Sequence, residues 1–408
     1  MTLEEAKKKC EIAGQEHLLA YYDELTKEDQ EALLAQIEKI DITLLDLLKQ
    51  DSKEVAKGKL EPLGAVTLEE IQNGKAEYEK LGQEAIRAGK VGAVLLAGGQ
   101  GTRLGLDKPK GMLNVGVHKK LYLFEQLIHN IMDVVNATGA WVPLFVMTSE
   151  KNNQDTVEFF KENNFFGYKE EYVFFFVQQM APSVSYEGKI YMEEKGRISA
   201  SPNGNGGWFI SMVRAGLLDT VKKLGVEWLN VFSVDNVLQK IADPVFVGAV
   251  LKHNCVCGSK VVAKADPYER VGVLCLEDGR PSIVEYYEMT EEMIHLRDKQ
   301  GKLLYNYGVI LNYLFSVTTL EKIMNENLPT HIVEKKIPYM DAEGNYIKPD
   351  KPNGYKFETL VLDMIHKMEN CLSFEVEREK EFAPIKNATG VDSLESAREL
   401  MKKNGMEF

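Results

Sequence analysis

The stretch VLLAGGQGTRLG, residues 94 to 105, passes from aliphatic residues directly into a loop that holds four glycines and one arginine. An apolar run of this kind predicts a strand buried on both faces, as in a parallel sheet covered by helices. Because glycine has no Cβ atom, the backbone N–H groups of the loop can approach a phosphate chain closely. The stretch therefore predicts an α/β fold with an anion-binding turn at the end of a buried strand. The alternative is a plain strand-to-helix turn that carries a solvated arginine.

The spacing of these glycines differs from the two common phosphate-binding motifs. The dinucleotide fingerprint G-x-G-x-x-G would need glycine at position 104, which is leucine here. The Walker loop ends in Gly-Lys followed by Ser or Thr, and no Gly-Lys pair in this sequence has that neighbour. A Rossmann dehydrogenase is therefore disfavoured, and a P-loop nucleoside triphosphatase is excluded. The cations that can bind phosphate oxygens beside the loop are Arg103 and Lys110.

Similar apolar runs recur along the chain, at residues 91–97, 141–147, 173–177 and 228–234. Between the first two, apolar residues at helical spacing from Leu123 to Val134 predict a crossover helix. This alternation predicts a parallel sheet with helices on its faces, and such sheets bind ligands at the carboxyl ends of their strands. We therefore expect functional residues at the ends of these strands, namely at 98–105, 148–149, 178–179 and 235–236.

The remaining chain predicts three domains. Capping boxes that begin at Thr2 and Thr67 predict helices before the first buried strand, and Asp278-Gly279 predicts a tight hairpin turn after the last one. A polar, proline-containing loop follows at residues 348–354. The predicted domains are a helical N-terminal region at 1–89, a main α/β domain at 90–340 and a small C-terminal domain at 341–408.

Composition and charge limit the classes of partner. Of 408 residues, 44% are hydrophobic and 27% are charged, which is typical of a globular protein. The net charge of −13 argues against nucleic acid and acidic membranes as partners, since both would be repelled. No apolar run approaches the roughly 20 residues of a membrane span, and the start of the sequence lacks the pattern of a signal peptide. Together with five scattered cysteines, these features predict a cytoplasmic protein with reduced thiols.

The glycine loop, followed by Pro109-Lys-Gly-Met112, resembles the signature of the eukaryotic-type UDP-sugar pyrophosphorylases, and among them of the UDP-N-acetylglucosamine pyrophosphorylases. The resemblance extends in order over about residues 90 to 390. It includes Phe165-Phe-Gly167, Tyr186-Glu-Gly-Lys189, Pro202-Asn-Gly-Asn-Gly-Gly207, Val234-Asp-Asn236, Lys348-Pro-Asp-Lys-Pro-Asn-Gly354 and Pro384-Ile-Lys-Asn387. It implies a nucleotidyltransferase (GT-A, Rossmann-like) α/β/α core with flanking N- and C-terminal units, so that residues 90–340 would be the catalytic domain.

The resemblance also implies roles for matching residues. A catalytic role is implied for Arg103, Lys110 and Lys386, which would neutralise phosphate charge. Nucleotide binding is implied for Gly98, Gly99, Gly101, Thr102, Gln178 and Gly204, of which Gln178 and Gly204 would read the uracil edge. Sugar binding is implied for Asn205, Gly272, Glu285 and Lys356, and Asp235 would hold Mg²⁺ on the phosphates.

The implied reaction joins UTP and N-acetylglucosamine 1-phosphate into UDP-N-acetylglucosamine and pyrophosphate by Mg²⁺-assisted in-line attack. The attacking phosphate oxygen is already anionic, so alignment and charge neutralisation suffice and no general base is needed. The implied substrates are UTP and a sugar 1-phosphate.

The departures from the family pattern lie at its sugar end. Val309 stands where the family usually has asparagine, and Leu360 and Leu362 stand where it has aromatic residues. Loss of a polar contact changes selectivity more than loss of apolar area, so glucose, galactose and N-acetylgalactosamine 1-phosphates stay open as substrates. The alternative outside the enzymes is a binding protein, namely a non-catalytic UDP-sugar sensor. Presence of Arg103, Lys110, Asp235 and Lys386 together favours the enzyme.

Overall fold

The computed structural model describes residues 1–49, 57–324, 326 and 328–408. Contacts within the chain divide it into two units. Unit 1 comprises the described residues of Met1–Ala56, Gln179–Gly207 and Leu328–Leu360, and unit 2 comprises those of Lys57–Gln178, Trp208–Asn327 and Val361–Phe408. The sequence analysis placed domain boundaries after residues 89 and 340 on the basis of composition and periodicity. These boundaries stay a prediction.

The α-helices of the described residues are α1 Leu3–Ala13, α2 Lys27–Lys39, α3 Leu68–Arg87, α4 Leu123–Thr138, α5 Asn153–Glu162, α6 Trp208–Arg214, α7 Leu217–Lys223, α8 Pro244–Lys252, α9 Glu291–His295, α10 Val317–Ile323, α11 Val361–His366, α12 Arg378–Glu381 and α13 Leu394–Lys403. None of these helices has the length and apolar character that a bilayer-crossing helix needs.

The strands of the described residues are β1 Leu60–Pro62, β2 Val91–Leu96, β3 Leu144–Thr148, β4 Val173–Val177, β5 Met180–Pro182, β6 Val184–Ser185, β7 Met192–Glu194, β8 Arg197–Ile198, β9 Ala200–Pro202, β10 Trp228–Ser233, β11 Cys257–Ala263, β12 Val273–Glu277, β13 Arg280–Val284, β14 Tyr307–Ser316, β15 His331–Lys335, β16 Tyr339–Met340, β17 Tyr346–Ile347, β18 Gly354–Glu358 and β19 Leu372–Glu375.

Unit 2 is built on one mixed sheet with the strand order β1-β12-β14-β10-β2-β3-β4. The strands β10, β2, β3 and β4 run parallel to one another, and in that register Val94 lies opposite Val231 and Phe145. On its other side β10 pairs antiparallel with β14. Every residue of β2 is buried, because helices cover the sheet. The α/β fold class predicted from the apolar runs is therefore confirmed.

The second parallel strand is shorter than its sequence pattern predicts. Residues 141–143 precede β3 as irregular chain, although the apolar run begins at Trp141. Pro143 has no backbone N–H to donate to the ladder, so its carbonyl alone takes part and accepts from Ala93 N–H at 2.8 Å. The crossover helix is confirmed as α4, whose residues Leu127 and Ile131 are buried.

The last part of unit 2 joins the same sheet and core. The strands β12 and β13 form the predicted hairpin, with Asp278 at φ +49° and Gly279 at φ +79°, as its tight turn requires. Strand β19 pairs parallel with β11, and the helix α13 packs Ala397 and Met401 into the main apolar cluster of unit 2. The chain after residue 360 is therefore part of the unit that carries the glycine loop.

Unit 1 has its own apolar core. Helices α1 and α2 pack Cys10, Leu33 and Ile37 against residues of β5–β8 and β18. The predicted capping box at Thr2 begins α1, and the one at Thr67 begins α3 in unit 2. The predicted helices α1 and α3 are thus present, but β1 also lies before residue 90, and the first 49 residues belong to a unit that contains short strands.

Candidate functional site

The glycine loop leaves the carboxyl end of β2 and is held by its own backbone. Gly101 N–H donates to Lys108 O at 3.0 Å, and Lys110 N–H donates to Gly99 O at 3.3 Å. Residues Thr102–Leu104 form one 3₁₀ turn. Within the described part of the chain, the N–H groups of Gly98 and Gly99 donate to no protein acceptor. The loop therefore offers free backbone donors at a strand end, an arrangement that binds anions.

A buried asparagine that the sequence analysis did not single out supports this loop. Asn152 is fully buried, and its Nδ2 donates to Ala97 O at 2.9 Å and to Gly99 O at 3.3 Å. Its Oδ1 accepts from Ser149 N–H at 2.7 Å. Sequence analysis could have identified Asn152 from its position three residues after the strand-end Ser149, since asparagine side chains often bond nearby backbone groups.

Two of the predicted nucleotide-binding residues touch each other. Gln178 lies at the carboxyl end of β4, is 6% exposed and donates its N–H to Thr148 O at 2.8 Å. A Cβ atom on Gly98 would lie 1.9 Å from Gln178 Nε2, so only glycine leaves this side chain where it is. A Cβ atom on Gly99 would meet nothing within 4 Å. The open side of the loop is therefore at Gly99.

The predicted phosphate-binding cations and the predicted magnesium ligand lie near one another in unit 2. Lys110 Nζ is 3.9 Å from Asp235 Oδ2, and these side chains are 15% and 17% exposed. Burial lowers the pKa of Lys110; Asp235 opposes this effect, while the positive charges of Lys386 and Arg103 reinforce it. Thr102 and Arg103 are exposed on the loop. Lys110 therefore lies within electrostatic range of two further cations and one carboxylate at the ends of β2 and β10.

The segment before Lys386 is bonded to the loop that holds Asp235. Ile385 N–H donates to Asp235 O at 2.9 Å. The side chain of Asn236, which is 1% exposed, donates to Glu381 O at 2.7 Å and accepts from Ala383 N–H at 2.9 Å. Pairing of residues 145 positions apart carries no local sequence signal, so the linking role of Asn236 was not predictable.

A further acid lies beside Lys386. Asp392 O accepts the backbone N–H of Lys386 at 2.6 Å. Burial raises the pKa of Asp392; nearby Lys386 opposes this, and the negative charge of Asp235 adds to it. The sequence analysis did not identify Asp392, and nothing in its local pattern distinguishes it from a surface turn residue.

The hairpin brings together two predicted sugar-binding residues. Gly272 precedes β12 and Glu285 follows β13, and a Cβ atom on Gly272 would lie 3.3 Å from Glu285 Oε1. Val309, on β14, donates its N–H to Gly272 O at 2.9 Å. The residue that departs from the family pattern therefore adjoins this pair.

Three predicted residues belong to unit 1. Gly204 has φ +86°, and a Cβ atom there would lie 2.2 Å from Thr359 O, so this position requires glycine for two reasons. Asn205 follows it in the same glycine-rich segment. Lys356 lies on β18 opposite Val333 of β15. Roles for these three residues stay predictions.

Asp235 suits magnesium by its chemistry. Among the described residues, no three His, Cys, Asp or Glu side chains are grouped as a metal-binding cluster. Magnesium in nucleotide enzymes takes one or two carboxylates and otherwise binds phosphate oxygens and water. A single, partly exposed carboxylate beside cations that can bind phosphate fits this mode of binding.

Comparison with known proteins gives consistent matches over almost the whole chain. The family model described as UTP–glucose-1-phosphate uridylyltransferase matches residues 43–406. UDP-N-acetylhexosamine pyrophosphorylase-like protein 1 of Homo sapiens is 38% identical, covering 95% of this chain and 81% of the relative. UDP-N-acetylglucosamine pyrophosphorylase of Saccharomyces cerevisiae is 36% identical, covering 97% and 89%. The crystal structure of the enzyme of that name from Trypanosoma brucei, in complex with an inhibitor, has a TM-score of 0.83 and 29% identity, covering 97% of this chain and 83% of that one.

Proposed function

The chain belongs to the UTP–glucose-1-phosphate uridylyltransferase family, and on that premise we propose that it forms UDP-N-acetylglucosamine and pyrophosphate from UTP and N-acetylglucosamine 1-phosphate. The observation that carries the proposal is the grouping of Arg103, Lys110 and Lys386 with Asp235 beside the glycine loop. Relatives named UDP-N-acetylglucosamine pyrophosphorylase support the choice of sugar.

In this reaction an oxygen of the sugar 1-phosphate attacks the α-phosphorus of UTP. A new O–P bond forms while the bond between the α-phosphorus and the bridging oxygen breaks, and pyrophosphate leaves with the electron pair. The nucleophile is already an anion, so no side chain has to remove a proton. The protein has to hold two highly charged reactants in line and neutralise the charge that develops on the leaving group.

The residues of unit 2 can divide this work. We assign the free N–H groups of Gly98 and Gly99, with Gly101 and Thr102, to the nucleotide, and the Gln178 side chain to the uracil edge. Arg103 can bind two phosphate oxygens at once through its planar guanidinium group, whereas Lys110 and Lys386 act as compact charges. Within the proposal, Gly272 and Glu285 bind the sugar.

Magnesium is part of the proposal, with Asp235 as its protein ligand. When bound, the ion would neutralise phosphate charge and orient the phosphate oxygens. Because Lys110 lies 3.9 Å from the same carboxylate, it stays close to any phosphate held there. We also propose a cytoplasmic location, supported by five cysteines that are all free thiols.

A second sugar remains a candidate because of Val309. Its side chain cannot donate a hydrogen bond where the family pattern has an asparagine, and it adjoins the predicted sugar-binding Gly272. A site that lacks one polar contact discriminates less between sugars that differ in a hydrogen-bonding group. We therefore expect measurable transfer to N-acetylgalactosamine or glucose 1-phosphate besides N-acetylglucosamine 1-phosphate.

A coupled assay of pyrophosphate release tests the function. The protein is incubated with UTP, Mg²⁺ and each of four sugar 1-phosphates, and the UDP-sugar product is identified by mass spectrometry. Release that depends on the sugar and is fastest with N-acetylglucosamine 1-phosphate supports the proposal. Tight binding of UDP-sugars without release for any sugar would instead support the sensor.

A further inference from the structure

Lys260, which lies outside the predicted site, is a fully buried lysine. Lys260 lies on β11, and its Nζ donates to Asp243 Oδ2 at 2.9 Å and to Glu381 Oε2 at 2.6 Å. Apolar residues of similar volume often stabilise a fold as well as such an ion cluster does, because burying charges has a large desolvation cost. Stability alone therefore gives little reason for a charged group here.

The two carboxylates connect this lysine to different parts of unit 2. Asp243 caps the start of α8, where its Oδ1 accepts from Val245 N–H at 3.1 Å. Glu381 ends α12 and begins the segment 381–386, which leads to Lys386. Lys260 thus joins a fixed helix start to the segment that carries a predicted catalytic lysine.

The backbone of segment 381–386 is in turn bonded to the loop of the predicted magnesium ligand. Glu381 O and Ala383 N–H both bond to the side chain of Asn236, and Ile385 N–H bonds to Asp235 O. A displacement of Glu381 would therefore be transmitted to both Asp235 and Lys386.

We propose that Lys260 is a positioning residue for uridylyl transfer, which fixes Lys386 relative to Asp235 by holding Glu381 at the start of segment 381–386. This inference rests on the proposed function. Burial opposes ionisation of Asp243, but Lys260 and Lys240 outweigh it and lower the pKa of that carboxyl. Burial lowers the pKa of Lys260, but the two carboxylates outweigh burial and raise that pKa above its ordinary value.

The two partners of Lys260 provide a matched pair of variants. Glu381→Gln and Asp243→Asn each remove one negative charge from the same ammonium group and keep the shape of the side chain. Asparagine also keeps the capping role at position 243, because it is as good an N-cap as aspartate. The two variants therefore differ in whether the altered residue lies on segment 381–386, and in the ion pair of Glu381 with the exposed Lys240 at 3.4 Å, which only Glu381→Gln removes.

The first measurement is steady-state kinetics of pyrophosphate release, together with the unfolding midpoint. Both variants are expected to lower the midpoint to a similar extent. Glu381→Gln is expected to lower kcat about tenfold or more, with KM for UTP within about twofold of the original, since small misplacement of a reacting group acts on the transition state. Asp243→Asn should keep kcat within about twofold. Lys260→Met is expected to reproduce the kcat loss of Glu381→Gln.

Hydrogen exchange in the substrate-free protein gives a readout that needs no activity. The amides of Ala383 and Ile385 should exchange faster in Glu381→Gln than in Asp243→Asn. Equal kcat losses in the two variants, unchanged exchange in Glu381→Gln, or faster exchange with normal kcat would each overturn the positioning role. If the unaltered protein transfers no uridylyl group to any sugar, the proposed function fails, whereas the exchange comparison still shows whether Glu381 fixes the segment.

Discussion

At the scale of single residues, substitution of Arg103 should reduce activity strongly and leave stability almost unchanged. It is exposed on the glycine loop, so its removal leaves no buried group without a partner. We expect Arg103→Ala to lower kcat about 10²- to 10³-fold, as loss of one donor to developing charge does elsewhere. The free energy of unfolding should change by less than about 0.5 kcal/mol.

Steady-state kinetics and thermal unfolding of the same preparation check this expectation. Arg280→Ala, at an exposed position of β13 in the same unit, serves as the control and should change neither quantity. If Arg103→Ala unfolds as readily as it loses activity, the arginine has a structural role instead.

Lys110, a proposed phosphate-binding residue, carries a cost in stability. Burial holds its pKa below the ordinary 10.5, so the folded state disfavours the ammonium form that phosphate binding needs. Between the folded-state and unfolded-state pKa values the unfolded chain binds more protons, so stability rises with pH in that window. The destabilisation is fully present below the folded-state pKa and is relieved as pH rises through it toward 10.5.

We therefore expect Lys110→Met to raise the unfolding midpoint at neutral pH and to lower kcat about a hundredfold or more. The gain in midpoint over the unaltered protein should shrink as pH approaches 10.5, and the activity of the unaltered protein should fall over the same range. Thermal unfolding of both proteins at several pH values measures this. A Met variant that is less stable at neutral pH would show that the contact with Asp235 outweighs burial.

At the scale of elements, the glycine loop depends on a residue outside it. Asn152, just before α5, donates to the buried carbonyl of Ala97 and to the carbonyl of Gly99, and it accepts from the buried N–H of Ser149. Asn152→Ala should lower the free energy of unfolding by about 2–3 kcal/mol, since buried polar groups lose their partners. It should also raise KM for UTP, because Gly99 O then keeps its bond to Lys110 N–H but loses the one to Asn152.

Chemical denaturation and initial rates at varied UTP concentration test this role. Gln154→Ala is the control, since Gln154 is exposed on α5 and bonds to Glu158 of the same helix. Equal effects of the two substitutions would contradict a role for Asn152 in holding the loop.

At the scale of the whole molecule, the net charge of −13 sets long-range behaviour. Polyanions are repelled over much of the surface, although the three cations beside Asp235 give a local positive region. We expect no retention on immobilised duplex DNA or on anionic vesicles at low ionic strength, where non-specific binding is strongest. An anion-exchange resin should retain the protein under the same conditions, and retention on DNA would refute the expectation.

The sequence determined what depends on short stretches of chain. Buried apolar runs predicted β2, β3, β4 and β10, and helical spacing predicted α4, because periodicity reflects which face of an element is covered. Ligands bind at the carboxyl ends of parallel strands, and this rule identified the glycine loop, Gln178 and Asp235 as candidate functional residues from the sequence alone. The resemblance added Lys386, Gly272 and Glu285, which no local pattern distinguishes.

Only the tertiary structure decided which distant residues meet. Asn236 bonds Glu381 across 145 positions, and Lys260 bonds the same glutamate across 121. The path of the chain between such residues determines these contacts, and a local pattern contains no record of that path. The same reason explains why the first 49 residues share a unit with 179–207 and 328–360: burial of apolar faces determines which segments pack together, whatever their order in the chain.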